Sequence, residues 1–229
     1  MSREKNNFIY IFSSFTAYFK AVNSNVTATR VVIRINPYLH SYKYNGGIIM
    51  KGKKSILKFE IFSTIFTMIL GTLLHFTFEW SNYNSFVALF SAVNESTWEH
   101  LKLLFFPMLL TTIIGYFYIG KNIPNFLCSK LIGIITAISF TIIFFYTYTG
   151  IIGNNFAFID ISIFFVAVLL GEYITYKFLL SDFSCNKKIS IIILALLLIC
   201  FATFTYIPPK IEIFKDPVKN IFGIIKNND

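Results

Sequence analysis

Five apolar runs constrain this chain more than anything else in it. They lie roughly at residues 56–78, 101–119, 131–148, 156–178 and 189–207. At about 1.5 Å of rise per residue, each can cross a hydrocarbon core of about 30 Å, the shorter ones with help from flanking residues. Lipid offers a backbone N–H or C=O no partner, so each run must be helical. A shorter run, 86–93, cannot span and reads as an interfacial or re-entrant piece. The expected fold class is therefore all-α: an integral membrane helical bundle of about five transmembrane helices. Charged residues make up 14% of the chain, against about 25% in a soluble globular domain. That excludes a soluble enzyme, a disordered chain and a coiled coil.

The formal net charge of +9 suggests an anionic partner until its distribution is read. Residues 1–49 hold six Lys/Arg and one acid, including all three Arg; residues 50–229 hold 14 Lys and 10 acids. This change of usage marks a boundary. Just before Met50 stands Asn45-Gly46-Gly47-Ile48-Ile49. Its codons can carry a GGAGG core, two isoleucine codons ahead of an ATG. Lys51-Gly52-Lys53-Lys54 then leads into the first run, as a membrane-protein start does. Residues 1–49 are therefore expected to be a mis-annotated N-terminal extension, or else a disordered arm. Residues 50–229 are expected to form one transmembrane domain with a tail from about 208.

Lysines set the expected orientation. Lys51, Lys53, Lys54, Lys58, Lys121, Lys130, Lys177, Lys187 and Lys188 fall on one side if the N-terminus is cytoplasmic. The C-terminus is then extracytoplasmic. Cys128 and Cys185 map to cytoplasmic loops, where a disulfide is not expected. No nucleotide-binding, nucleophile-elbow or nucleic-acid-binding motif is present, so the partner that follows directly is the lipid bilayer.

The unusual polar residues converge on the opposite, outer side. His75 and Glu79 are four apart and share a helix face. Ser96 and Glu99 fit a capping box, and Glu95, Glu99 and Lys102 follow one stripe. Pro107 cannot donate to the carbonyl of Leu103, so the second helix should kink there. Gly150, Gly153, Asn154 and Asn155 make an uncharged turn expected to cap the fourth helix. Asp160 lies about one turn inside that helix. Glu172 sits deeper, where it can snorkel or pair with Lys177.

An ionisable residue at membrane depth is a functional hypothesis by default. The catalytic candidates are His75, Glu79, Glu95, Glu99, His100 and Asp160. A divalent-metal site can be drawn from His75, Glu79, Glu99, His100 and Asp160, with a metal-bound water as hydrolytic nucleophile. No H-E-x-x-H motif is present, however, and only two histidines remain once His40 is set aside. A hydrogen-bonded lock between the first, second and fourth helices explains the same residues without metal, and is preferred. The leading expectation is thus a structural or interaction role. The alternatives are a metal-dependent membrane hydrolase acting on a lipid-like substrate, and a small-solute or ion path using Asp160 and His75. The tail from Pro208 is long enough to fold over the outer face, or to stay loose.

The segment Val93-Asn94-Glu95-Ser96-Thr97-Trp98-Glu99-His100-Leu101-Lys102-Leu103-Leu104-Phe105-Phe106-Pro107 resembles a VNES-x-WEHLKL-x-FFP signature. It is that of a family of multi-pass bacterial membrane proteins, mainly from Firmicutes, known only as a domain of unknown function. The His75–Trp80 stretch, the 149–153 turn, Asp160, and the tail prolines with Phe214 and Asp216 are similar too. The likeness covers about residues 54–225. It implies a shared fold in a bacterial plasma membrane and leaves the mechanism open. Intact mass of the native protein tests the expected start: a species beginning at Met50 is expected, and one beginning at Met1 overturns it.

Overall fold

The computed structural model describes residues 46–183 and 185–224. The expected extension or arm, residues 1–49, falls almost wholly outside them. Five long helices run in order: α1 (Gly46–Trp80), α2 (Thr97–Tyr118), α3 (Phe126–Ile152), α4 (Ala157–Leu179) and α5 (Lys187–Tyr206). All five are long and apolar enough to cross a membrane by length and composition, counting α1 from Gly52. Among the described residues there is no strand, only an isolated bridge between Lys215 and Phe222. The short run at 86–93 forms a 3-10 turn, Val87–Leu89.

Consecutive helices alternate in direction. At one end the start of α1 meets the end of α2 (Phe59 against Tyr118), and Asn125 Nδ2, just before α3, donates to the Phe178 carbonyl near the end of α4. At the other end His75 of α1 meets His100 of α2, and Tyr148 of α3 meets Asp160 of α4. The first end carries the lysines of 53–58, 121, 177 and 187–188. The second carries the polar cluster and the C-terminal tail.

α2 is the central helix: 56% of its apolar window is buried, against 22–44% for the other four. Its Leu101, Leu104, Phe105 and Met108 pack with Leu131, Ile134 and Ala137 of α3, Ala167 and Val168 of α4, and Leu194 and Phe201 of α5. Lipid supplies little hydrophobic force between helices, so close approach of small residues must hold them. Gly133 and Gly171 provide it. A Cβ on Gly133 would strike Thr175 and lie 2.6 Å from the Gly171 carbonyl oxygen, and one on Gly171 would lie 2.8 Å from the Gly133 carbonyl oxygen.

Pro107 stays inside α2, which runs on to Tyr118. The Leu103 carbonyl that it leaves without an amide donor faces α1. There a Cβ on Gly71 would collide with that oxygen and with the Phe164 ring. Gly71 thus lets three helices close over the freed carbonyl.

Several expectations are corrected. Lys130 is not a loop lysine. It lies within α3, 1% exposed, pairing with Glu60 at 2.9 Å and Glu172 at 3.0 Å. Glu172 consequently does not pair with Lys177, whose ammonium instead sits over the Tyr173 ring. Cys128 and Cys185 are disulfide-bonded, with Cα atoms 6.4 Å apart. The expectation against it came from the assumed compartment and ignored that the α4–α5 loop folds beside the first turn of α3. Gly153, at φ 83°, ends α3 as a left-handed cap, whereas α4 begins at Ala157 behind an N-cap residue, Phe156, that makes no side-chain cap. The capping box is half formed. Ser96 Oγ accepts from the Glu99 amide, but the Ser96 amide donates to Asn94 Oδ1 and the Glu99 carboxylate is used elsewhere.

Backbone atoms face each glycine at the α3–α4 contact, so no rotamer change relieves an added side chain. Gly171→Val is expected to destabilise the fold by about 1–3 kcal/mol, read as a lowered Tm in detergent. Gly150→Ala, with open space around it, should leave Tm unchanged.

Candidate functional site

The polar end of the bundle holds two clusters with different chemistry. The first is closed. Lys102 is fully buried, and its ammonium donates to the Ala88 carbonyl at 2.7 Å and to Thr205 Oγ1 at 3.0 Å while pairing with Glu99. An ammonium has three protons, and these are three partners. Glu99 is also buried. It accepts from the Val93 amide at 3.0 Å and from Thr205 at 3.3 Å. The pair thereby joins α2, α5, the 3-10 turn and the strand of chain entering α2. It leaves no free ligand atom for a metal or substrate.

The second cluster is open. His75 Nε2 lies 3.3 Å from His100 Nε2, and Glu95 Oε2 lies 3.4 Å from His100 Nε2 and 3.8 Å from His75 Nε2. These are the three His or carboxylate side chains that converge as a set among the described residues. Their side chains are 33–46% exposed. The separations match the chemistry of a small cation. Ligands about 2.0–2.1 Å from a tetrahedral zinc stand about 3.3–3.4 Å from one another.

Each of the three side chains is placed by its local backbone. His100 Nδ1 faces the Ser96 carbonyl oxygen at 3.0 Å. With a proton held on Nδ1 by that carbonyl, Nε2 faces the centre: it donates to Glu95 when the ring is charged and offers its lone pair when the ring is neutral. His75 enters from the last turns of α1, its ring 5.2 Å from that of His100. Glu95 precedes the Ser96 cap, so it lies off the helix and swings toward α1 rather than following the Glu99 stripe.

The tail fixes Glu95. Asp216 is fully buried and accepts from the amides of Glu95 (3.2 Å), Val218 (2.7 Å) and Lys219 (2.9 Å). Asn94 Nδ2 donates to the Gly223 carbonyl at 2.8 Å, and Phe214 packs against Trp98 with ring centroids 4.8 Å apart. Of the two expectations for the tail, folding over this end is what occurs. The His100 ring beside it holds the Glu95 carboxyl below its ordinary range. Ionised Glu95 therefore favours the assembled trio, and that contribution is lost as pH falls through the lowered range.

The six expected site residues are thus distributed as follows. His75, Glu95 and His100 come together. Glu99 belongs to the closed lock. Glu79 is exposed at the end of α1 and stays outside the trio, despite sharing a helix spacing with His75. Asp160 lies in the first turn of α4, bonded by the Tyr148 hydroxyl and by Asn155 Nδ2 at 3.4 Å. Sequence reasoning placed Glu95 among the catalytic candidates but left it out of the metal set. The signal was Asn94 and Ser96, which cap and turn the chain at Glu95. Tyr148 and Thr205 carry no site signal in the sequence, and Asp216 is marked only as part of the tail expected to reach this end.

The geometry can be set beside known proteins. A family model described as a family of unknown function, DUF6512, matches residues 48–224. The chain belongs to this family. No curated protein and no solved structure matches it. The DUF6512 match spans α1 to the tail strap, so the trio, the lock and Asp216 all lie within the family's matched region.

Two substitutions separate the clusters. Lys102→Met leaves Glu99 buried without its cation, and about 3–5 kcal/mol of stability should be lost in an unfolding titration. Asp216→Ala should speed amide exchange at Glu95, Val218 and Lys219 while the spans remain protected, since it removes three local acceptor bonds. Unchanged exchange at Glu95 would contradict the role given to Asp216.

Proposed function

We propose that this is a multi-pass protein of a bacterial plasma membrane that binds one divalent transition metal, zinc in class, through His75, Glu95 and His100. The observation that carries the reading is the ligand spacing of 3.3, 3.4 and 3.8 Å. Two imidazoles and a carboxylate suit zinc and its neighbours. Three protein ligands leave a fourth position open, which is the pattern of catalytic rather than structural zinc sites. A water there would be acidified into a nucleophile at neutral pH. Exposed Phe76, Trp80, Phe156 and Phe158 surround this end of the bundle, as aromatic residues do at the headgroup level. The reading is therefore a metal-dependent hydrolase for a lipid-like substrate approached from the bilayer surface.

A structural role has its own support in the Glu99–Lys102–Thr205 lock. That lock accounts for the buried pair but not for three half-exposed ligand atoms converging beside it. An ion path is disfavoured by Gly71, where Leu103 and Phe164 close the interface between the polar groups at the two ends. Lysine placement reads the lysine-rich end as cytoplasmic, although the Cys128–Cys185 disulfide stands there, and on that reading the trio opens outward. An impermeant maleimide should label a cysteine placed at Gly150 from outside intact cells and spare one placed at Lys121.

Metal analysis of the untagged full chain tests the site. About one zinc per chain is expected after equilibration with zinc and removal of excess. His75→Ala and His100→Ala should lose it, while Glu79→Gln and Asp160→Asn should keep it. Equal metal content in all five proteins, or none in the wild type, overturns the proposal.

A further inference from the structure

The buried face of α1 carries a second polar stripe, Glu60, Ser63 and Thr67, at the lysine-rich end of the bundle. Glu60 lies fifteen residues from His75, hence about 22 Å along the helix. Glu60 and Glu172 share one cation. Lys130 Nζ lies 2.9 Å from Glu60 Oε2 and 3.0 Å from Glu172 Oε2, over the Phe59 ring at 5.4 Å. Two carboxylates against one ammonium would leave an unbalanced negative charge inside the span, at a cost of several kcal/mol or more.

The hydrogen bonds show where that charge is removed. Glu172 has both oxygens answered: Oε1 accepts from Ser63 Oγ at 2.8 Å and Oε2 from Lys130. Glu60 has only Oε2 answered. Its Oε1 is buried with no hydrogen-bond partner among the described residues, and so is Thr67 Oγ1 two turns along the same helix face. A bare buried oxygen costs an ionised carboxylate far more than it costs a neutral carboxyl.

We propose that Glu60 is a proton-binding site, carrying a resident proton on Oε1 while Glu172 stays ionised against Lys130. One proton brings the cluster to zero net charge. The other charged groups of the packed elements point away from it. Lys58 of α1, Lys121 of the α2–α3 turn, Lys177 of α4, and Lys187 and Lys188 of α5 are exposed, and α2 has no charged residue beyond Lys102. The phenols of Tyr116, Tyr118, Tyr173 and Tyr176 also stand on the packed helices at this end. Gly71 with Leu103 and Phe164 separates this site from the histidine trio, so the proton is held independently of any metal.

Infrared spectra of the full chain in lipid vesicles at neutral pH test this. The wild type should show a protonated-carboxyl C=O stretch. Glu60→Gln, which copies the shape of a neutral carboxyl, should fold with an unchanged Tm and lose that band. Glu172→Gln should lose it as well, because Glu60 then becomes the sole anion for Lys130. Asp160→Asn should keep it. Absence of the band in the wild type, or its survival in Glu60→Gln or Glu172→Gln, overturns the proposal. So does a wild-type Tm that rises with sodium chloride but not with equal choline chloride, since a bound sodium ion would then replace the proton. If one glutamine variant fails to fold, Glu60→Asp replaces it and should shift the band; an unshifted band overturns the proposal.

Discussion

A lysine ammonium enclosed by apolar helices has to be answered on every side, and Lys102 is answered by parts of the chain far apart in sequence. Its partners, Ala88, Glu99 and Thr205, come from the 3-10 turn, from α2 itself and from the end of α5. Losing any one of them exposes a buried charge. This all-or-none requirement is what holds the polar end of the bundle in register. Val93 is tied into the same group through Glu99, which places Asn94, Glu95 and Ser96 in turn. The open histidine–glutamate trio is therefore built on the edge of a closed, charge-balanced one.

The two clusters illustrate how similar residues can serve opposite ends. Glu95 and Glu99 are four positions apart in one motif. Glu99 is spent on backbone and ammonium donors and has no capacity left. Glu95 makes its position through its backbone, with Asp216 holding the amide, so its carboxylate remains available. A ligand held by its main chain is oriented without consuming the side chain's own chemistry.

Much of the architecture was legible in the sequence because lipid makes helix formation compulsory. The five runs become α1 to α5, each within a few residues or one to three turns of the expected bounds. What was not legible depended on contacts across helices. Lys130 read as a loop charge because it stands at the start of an apolar run. Only the helix beginning at Phe126 and the carboxylates of Glu60 and Glu172 show it to be interior. The trio was half legible: His75 and His100 stand out as the two histidines at the outer ends of the first two runs, but helical periodicity cannot position Glu95, which precedes the cap. Cys128 and Cys185 were argued from compartment, whereas their pairing follows from one loop lying beside another helix's first turn.

The strap from Pro208 to Gly223 adds no membrane span, yet it supplies Phe214, Asp216 and the Gly223 carbonyl to the polar end. Crossing the bilayer and completing the site are thus separate events in this chain. The loop between α1 and α2 that carries Glu95 is made 121 residues before Asp216, which holds its amide. During synthesis the helices can form with Glu95 untethered, and its amide gains its anchor only when the strap folds back.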